Sequence, residues 1–304
     1  MSEQIDEKPP KVGEAIVLER GLRVILAPNP SPMTYWGTNT YLLGEKDITV
    51  IDPGPDSVEH LQAILKALEP GQSISQIVVT HSHKDHSPLA KPLKEKTGAE
   101  IISFGDSLSG RSAAMAELAK TGEIGGGEGV DADFSPDRLV SDGEVIAAED
   151  RALKVIHTPG HMGNHISLAM EDACFTGDHI MGWASSLVSP PDGDLTDFMA
   201  SCERLAQENW RVFYSGHGAA ITEPNARLQW LITHRRSREA EILAQLRLSP
   251  ADAVGLAQTI YHDVNPKLLP AAQRNVLAHL VDLYGRGLVL PQQAFEINAT
   301  FELV

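Results

Sequence analysis

The stretch HSHKDH, residues 81 to 86, contains three imidazoles and one carboxylate within six residues. It follows the apolar run 77–79, which is typical of a buried strand, and precedes a helical pattern at 88–96 with a proline near its start. Neighbouring side chains on a tight turn point in different directions, so these four groups can address two adjacent metal ions. Zinc accepts imidazole nitrogen and carboxylate oxygen, and a catalytic zinc keeps one position open for water. A solvated polar turn is the alternative, but packing gives no reason for such a cluster.

Length and composition indicate an ordinary globular protein. The chain has 304 residues, of which 42% are hydrophobic and 22% charged, enough for one large domain or a large and a small one. No apolar run is long enough to cross a membrane, and the N-terminus is polar and acidic, unlike a signal peptide. We therefore expect a cytoplasmic protein that does not bind membranes. Its two cysteines, Cys174 and Cys202, are expected to be reduced thiols.

Charge divides the chain into two parts. Residues 223–304 contain eight basic and eight acidic residues, so the net charge of −16 lies entirely in residues 1–222. A protein surface with this overall negative charge disfavours non-specific binding to nucleic acid.

The pattern of elements changes at the same place. Residues 1–222 mix two groups of strands with covering helices, whereas residues 223–304 predict a long helix, two shorter helices and a two-strand ending. The predicted strands are 21–27, 38–43, 48–51, 77–79, 99–104, 138–146, 153–157, 166–170, 173–176, 212–214, 288–290 and 294–303. The predicted helices are 57–68, 88–96, 111–120, 196–208, 225–246, 251–260 and 271–283. We expect a catalytic domain at 1–222, a winged-helix-like domain at 223–304, and a flexible surface loop at the glycine run 125–129.

Four further motifs accompany the histidine cluster in a fixed order: DPG at 52–54, TPGH at 158–161, TGD at 176–178 and SGHG at 215–218. Together the five motifs resemble the metallo-β-lactamase superfamily over about residues 20 to 222. The resemblance implies an α+β fold, an αββα sandwich with a dinuclear metal site at one edge.

The resemblance also implies a ligand set. One zinc would be held by His81, His83 and His161 and the other by Asp85, His86 and His217, with Asp178 as the bridge. A hydroxide between the two zinc ions would be the nucleophile, and Asp85 could also accept a proton. Asp52 is expected to orient the metal-binding loop. Manganese or iron would suit the same ligands.

Three other histidines lie near these motifs. His165 and His179 either contact the substrate or donate a proton to a leaving group, or they make structural hydrogen bonds. His165 is our candidate for a second catalytic residue beside Asp85. His157 is expected to end a strand and pack.

Two features of the sequence reduce the number of candidate functions. Asp at position 178 in place of Cys, and the absence of an export signal, argue against an antibiotic-hydrolysing β-lactamase. The C-terminal segment is similar to the β-lactamase-like protein 2 group, which implies a phosphodiesterase that cleaves single-stranded RNA. Five of the eight basic residues after 222 lie between Arg227 and Arg247, where they either follow a phosphate backbone or pin the C-terminal domain to the large one.

Two alternatives stay open. A thioester hydrolase resembling glyoxalase II would share all the metal residues, and an acidic surface suits a small thioester substrate better than RNA. A non-enzymatic regulator would use the winged helix to bind DNA and the large domain as a metal-binding sensor. A dimer is compatible with the sequence.

Overall fold

A computed structural model describes residues 8–121, 129–263 and 265–304. Its larger sheet contains seven strands in the order β1 to β7. Neighbouring strands are antiparallel from β1 to β4 and parallel from β4 to β7. The strands are β1 Ala15–Glu19, β2 Leu22–Leu26, β3 Asn39–Leu43, β4 Asp47–Ile51, β5 Ser73–Val78, β6 Glu100–Ser103 and β7 Arg138–Leu139.

A second sheet of five strands packs against the first, in the order β12-β11-β10-β9-β8. The chain runs antiparallel from β8 to β11, and β12 is parallel to β11. The strands are β8 Val145–Ala148, β9 Arg151–His157, β10 Ile166–Met170, β11 Ala173–Gly177 and β12 Val212–Ser215. Leu43 and Ile51 of one sheet and Leu168 and Phe175 of the other share one buried core. Burial of this apolar surface holds the two sheets together.

Helices cover the outer faces of both sheets. The helices α1 Val58–Lys66 and α2 Ala90–Thr97 contribute to the apolar cluster on the first sheet. The helices α4 Leu195–Leu205 and α5 Pro224–Leu246 do so on the second. Ser57 and Asp194 cap the first turns of α1 and α4 through their side-chain oxygens. The predicted αββα sandwich is confirmed.

The C-terminal segment has its own apolar core. It contains α6 Ala253–Ile260, the 3-10 helix Pro266–Leu268, α7 Leu269–Gly285, and the antiparallel pair β13 Val289–Pro291 and β14 Phe301–Leu303. The short helix α3 Ala113–Leu118 of the large domain also contributes to this core. Helix α5 supplies residues to the core on the second sheet and to the C-terminal core. The two parts therefore share a packed interface, and a boundary at residue 222 remains a prediction.

Three local predictions differ from the structure. The strand β1 was not predicted, and the strand expected at 138–146 is two strands, because the chain turns at Gly143 (φ 80°) and crosses between sheets. The alternation at 294–303 forms a strand only at Phe301–Leu303. Residues 125–128 of the predicted flexible loop lie outside the described residues.

Within the three described ranges, none of the helices combines the length and the apolar character that a membrane span requires.

Candidate metal centre

The topology brings the predicted ligands to one edge of the sandwich. In the first sheet, β4 and β5 are parallel, so Asp52 and the 81–86 turn both follow strand ends at the same edge. In the second sheet, β11 and β12 are parallel, and Asp178 and His217 follow their ends. The backbone N–H of Asn39, at the start of β3, donates to the carbonyl of Gly216 at 2.8 Å, which joins the first sheet to the loop after β12 at this edge.

The first group of donors consists of His81, His83 and His161. Nδ1 of His83 lies 3.0 Å from Nε2 of His81 and 3.0 Å from Nε2 of His161. Zinc–nitrogen bonds of about 2.05 Å in a tetrahedron place neighbouring donors about 3.3 Å apart. Three buried imidazole nitrogens at this spacing therefore fit one metal ion.

The second group consists of Asp85, His86, Asp178 and His217. Nε2 of His217 lies 3.1 Å from Asp85 and 3.2 Å from Asp178, and Nε2 of His86 lies 3.4 and 3.3 Å from the same two carboxylates. Oδ2 of Asp178 is also 3.7 Å from Nε2 of His161, in the first group. Asp178 is therefore placed to contact ions in both groups, as a bridging ligand would.

Hydrogen bonds behind the cluster fix the tautomers of the histidines. Nδ1 of His161 lies 2.8 Å from the carbonyl oxygen of Leu187, and Nδ1 of His217 lies 3.0 Å from that of Gly37. A carbonyl oxygen only accepts, so each Nδ1 carries a proton and Nε2 is the atom that each ring can offer to a metal ion.

Asp52 supports ligands of both groups. Its Oδ2 accepts from Nδ1 of His86 at 2.9 Å and from the hydroxyl of Thr80 at 2.8 Å. The Thr80 oxygen lies 3.0 Å from Nδ1 of His81. One buried carboxylate thus orients His86 directly and His81 through Thr80, as the sequence predicted for Asp52.

Burial and charge act differently on the two groups. Burial lowers the pKa of His81, His83 and His161, which keeps these imidazoles neutral. Burial opposes protonation of His86 and His217 too, but nearby carboxylates outweigh it and raise both pKa values, that of His217 to about 10. The second group is therefore a buried site of negative potential that favours a cation.

The donor set fits a pair of metal ions. Nε2 of His86 and Oδ1 of Asp178 are buried and have no hydrogen-bond partner among the described residues. A Cβ atom at Gly216 would lie 2.2 Å from Oδ1 of Asp178, so only glycine leaves this oxygen accessible. Imidazole and carboxylate donors suit zinc, manganese and iron. The two groups together form a dinuclear-type metal site.

The other predicted histidines are placed away from the open side of the site. His165 and His179 are completely buried and do not line the cavity described below. Nδ1 of His165 lies 2.9 Å from the hydroxyl of Thr158, and Nε2 of His179 lies 3.5 Å from Sγ of Cys202. This placement favours the structural alternative over contact with a substrate. His157 stacks on Phe104, with ring centroids 3.9 Å apart, as expected for a packing residue.

A cavity of about 210 Å³ opens in front of the metal ligands. Five of the candidate ligands form its floor, namely His83, Asp85, His161, Asp178 and His217. The other lining residues are Pro32, Met33, Met181, Trp183, Ala184, Ser185, Leu187, Tyr261, Leu268, Ala271, Ala272 and Asn275. The last five come from the C-terminal domain, so that domain forms one wall of the cavity.

Two arginines of α5 hold the loop that follows Asp178. Arg227 donates to the carbonyl oxygens of Met181 and Ala184 at 2.7 and 2.6 Å. Arg235 is 2% exposed and donates to the carbonyl oxygen of Ser186. Both guanidinium groups therefore shape the cavity loop from behind.

Two further arginines of α5 are paired with acids. Arg236 bonds Glu203 of the large domain at 2.8 Å, and Arg238 bonds Glu241 at 2.6 Å. The guanidinium of Arg238 also lies 4.6 Å from the ring centre of Tyr261. The Arg236 pair matches the packing alternative, whereas the Arg238 pair lies within α5, and both pairings weigh against a continuous phosphate-binding track.

Several residues that shape this site have no signal in the sequence. Leu187 and Gly37 act through backbone carbonyls, which no side-chain pattern reveals. Tyr261 and Asn275 lie more than forty residues beyond the last metal motif, at His217. The helical pattern of the sequence places both residues in the C-terminal domain, but it does not show which surface of that domain lines the cavity.

Comparisons with known proteins agree with this geometry. A family model described as the metallo-beta-lactamase superfamily matches residues 33–217, and one described as the beta-lactamase associated winged helix domain matches residues 254–294. The beta-lactamase-like protein 2 homolog of Drosophila melanogaster is 31% identical over 272 residues, which are 86% of this chain and 87% of the relative.

Two further matches span most of the chain. An atrochrysone carboxyl ACP thioesterase of Claviceps purpurea is 29% identical over 81% of this chain and 71% of its own length. The crystal structure of a beta-lactamase domain protein from Burkholderia ambifaria superposes with a TM-score of 0.81 at 21% identity, covering 99% of this chain and 96% of the other. The chain belongs to the metallo-beta-lactamase superfamily and carries the C-terminal winged-helix domain associated with it.

Proposed function

We propose that this protein hydrolyses thioesters of apolar acyl groups at a dinuclear zinc centre. The observation that carries the proposal is the chemistry of the cavity. Its walls are mostly apolar, and no lysine or arginine of the described residues lines it. An apolar pocket with a few polar groups suits a small organic substrate, whereas RNA requires cations along its backbone.

The paired arginines of α5 support the same choice. Single-stranded RNA is the substrate that the resemblance to the β-lactamase-like protein 2 group implies, and free cations between Arg227 and Arg247 would bind its phosphate backbone. Arg227 and Arg235 instead hold backbone carbonyls, and Arg236 and Arg238 are paired with carboxylates. Binding RNA there would require these contacts to break.

The leaving group gives a second argument. A thiol has a pKa of about 8.5, so a thiolate departs without a proton donor. An alkoxide leaving from a phosphodiester needs a general acid. Among the described residues, the only histidines that line the cavity belong to the two metal-ligand groups, and burial raises the pKa of Tyr261, which makes it a poor acid.

The thioester would lie with its carbonyl over the metal ligands and its acyl chain along the apolar wall. His81, His83 and His161 would hold one ion and Asp85, His86 and His217 the other, with Asp178 between them. When bound, the ions supply an activated water and polarise the carbonyl oxygen. Burial raises the pKa of Asp85, but the imidazoles of His86 and His217 outweigh it and hold this pKa well below its ordinary range. The Asp85 carboxylate is therefore ionised, as a metal ligand must be, and the same low pKa makes it a weak proton acceptor.

Relatives are consistent with both chemistries. The Claviceps purpurea relative is named as a thioesterase, which supports thioester hydrolysis. The name of the Drosophila melanogaster relative states no substrate. Membership in a superfamily of hydrolases favours catalysis over the regulator hypothesis.

The test is a parallel assay of zinc- and manganese-loaded protein on octanoyl and lactoyl thioesters and on a short single-stranded RNA. We expect metal-dependent thiol release, no RNA cleavage, and loss of turnover in Asp85→Ala with little change in melting temperature. Asp47→Ala is a matched control, because Asp47 is exposed at the start of β4 and far along the strand from the site. RNA cleavage that Asp85→Ala abolishes, without thioester turnover, would restore the nuclease hypothesis.

A further inference from the structure

Asn275 of α7 is a polar residue in the apolar wall that the C-terminal domain contributes to the cavity. Leu268, Ala271 and Ala272 line the wall beside it. A polar side chain in such a wall costs free energy unless its hydrogen-bonding capacity is used. The partners of Asn275 therefore indicate what the wall is built to contact.

The amide oxygen of Asn275 is already occupied. Oδ1 accepts from the backbone N–H of Val188 at 3.1 Å and from Nη1 of Arg235 at 2.9 Å. Two donors facing one atom identify it as the oxygen, so the other terminal atom of the side chain is the NH₂ group. Nδ2 makes no hydrogen bond to any residue in the described ranges, which leaves two N–H donors for a ligand.

The side chain is held rigidly in this orientation. Arg235 is buried, and it also bonds the carbonyl oxygen of Ser186 and lies over the ring of Phe198 at 5.2 Å. Val188 belongs to the loop that carries Leu187, whose carbonyl orients the metal ligand His161. The donor is thus fixed relative to the metal centre, as a specificity contact requires.

We propose that Asn275 is a specificity-determining residue whose amide donates a hydrogen bond to a carbonyl oxygen on the acyl chain of the substrate. This inference rests on the proposed thioesterase function and narrows its substrate class to keto-substituted acyl thioesters. A ligand without an oxygen at this position leaves the amide unsatisfied, and a buried unpaired donor is penalised. The C-terminal domain then selects the substrate through the wall it contributes.

The probes are the S-ethyl thioesters of octanoate and of the isomeric keto-octanoates, which carry a ketone at each successive chain carbon. The ethylthiolate leaving group has no oxygen or nitrogen, so any preference reports on the acyl chain. We expect at least one keto isomer to have a kcat/KM about tenfold above that of the unsubstituted ester, mainly through a lower KM.

The test variant is Asn275→Asp. An aspartate retains an oxygen acceptor for Val188 and Arg235 but loses both N–H donors. We expect the keto preference, which is the ratio of kcat/KM for the keto ester to kcat/KM for the unsubstituted ester measured with the same variant, to fall to parity or below. Gln273→Glu makes the same amide-to-acid change on α7 at a residue that does not line the cavity, and it should retain the preference.

The outcomes separate the two levels of the proposal. Hydrolysis of all the esters with no keto preference, or with a preference that Asn275→Asp retains, would overturn the role of Asn275 and leave the thioesterase function standing. No hydrolysis of any S-ethyl thioester by metal-loaded protein would overturn the thioesterase function itself, and the substrate class with it.

Discussion

Replacing Asp52 by asparagine should weaken metal binding without disturbing the fold. Asp52 has a φ of 51°, in the left-handed region that asparagine adopts at least as readily, so the backbone can remain unchanged. The amide oxygen can still accept from the backbone N–H of Thr80, which lies 2.7 Å from Oδ1. The amide NH₂, however, would face the protonated Nδ1 of His86, and two donors cannot form a hydrogen bond.

The expected loss of metal affinity in Asp52→Asn follows from the tautomer of His86. To relieve the conflict, His86 must move its proton to Nε2, the atom that faces Asp85 and Asp178 in the site. Loss of such an outer hydrogen bond to a metal-binding histidine lowers metal affinity about 10- to 100-fold. At about 1.4 kcal/mol for each tenfold, this corresponds to about 1.4 to 2.8 kcal/mol.

The assay is zinc titration of the apoprotein against a chromophoric chelator, with metal content measured after dialysis. Asp47→Asn is the matched control, since it makes the same change at an exposed position of the preceding strand. We expect one of the two zinc equivalents to be lost from Asp52→Asn and both to remain in the control. Two equivalents bound with unchanged affinity would refute the orienting role of Asp52.

Two further predictions concern stability. Arg235→Ala should lower the free energy of unfolding by about 3 kcal/mol or more, because it leaves buried acceptors unpaired and opens a cavity. Arg236→Ala removes only the exposed pair with Glu203 and should change the free energy of unfolding by less than about 1 kcal/mol. Equal effects of the two variants in urea titrations would contradict this assignment. Burial lowers the pKa of His60 to about 4, and its Nε2 lies 2.8 Å from Oγ1 of Thr40. Because the pKa of folded His60 is depressed, its contribution to the free energy of unfolding is fully present above the unfolded pKa of about 6.5 and is lost as the pH falls toward 4. The free energy of unfolding of apo His60→Gln should therefore fall less over that interval than that of the wild-type apoprotein. Parallel pH profiles would show that His60 does not contribute.

The residues of the candidate metal centre could be predicted because each stands in a short motif after a strand. His81, His83, Asp85 and His86 lie within six residues, and the remaining ligands follow strands that the apolar pattern identifies. Parallel strands place such positions at one edge whatever the details of packing. The sequence by itself therefore determined the fold class and which side chains meet at the metal site.

The substrate side of the site depended on contacts between segments distant in the chain. From the sequence, the arginines of α5 could equally bind a phosphate backbone or pack against the large domain, because the charge of a residue does not show whether its side chain is buried or paired. Only the burial of Arg235 between α4, α7 and the 181–188 loop decided this. Asn275 had no signal at all in sequence, since its role arises where the C-terminal domain docks on the sandwich. Tertiary packing determined the shape and polarity of the cavity, because those properties belong to an interface between two parts of the chain and to neither part alone.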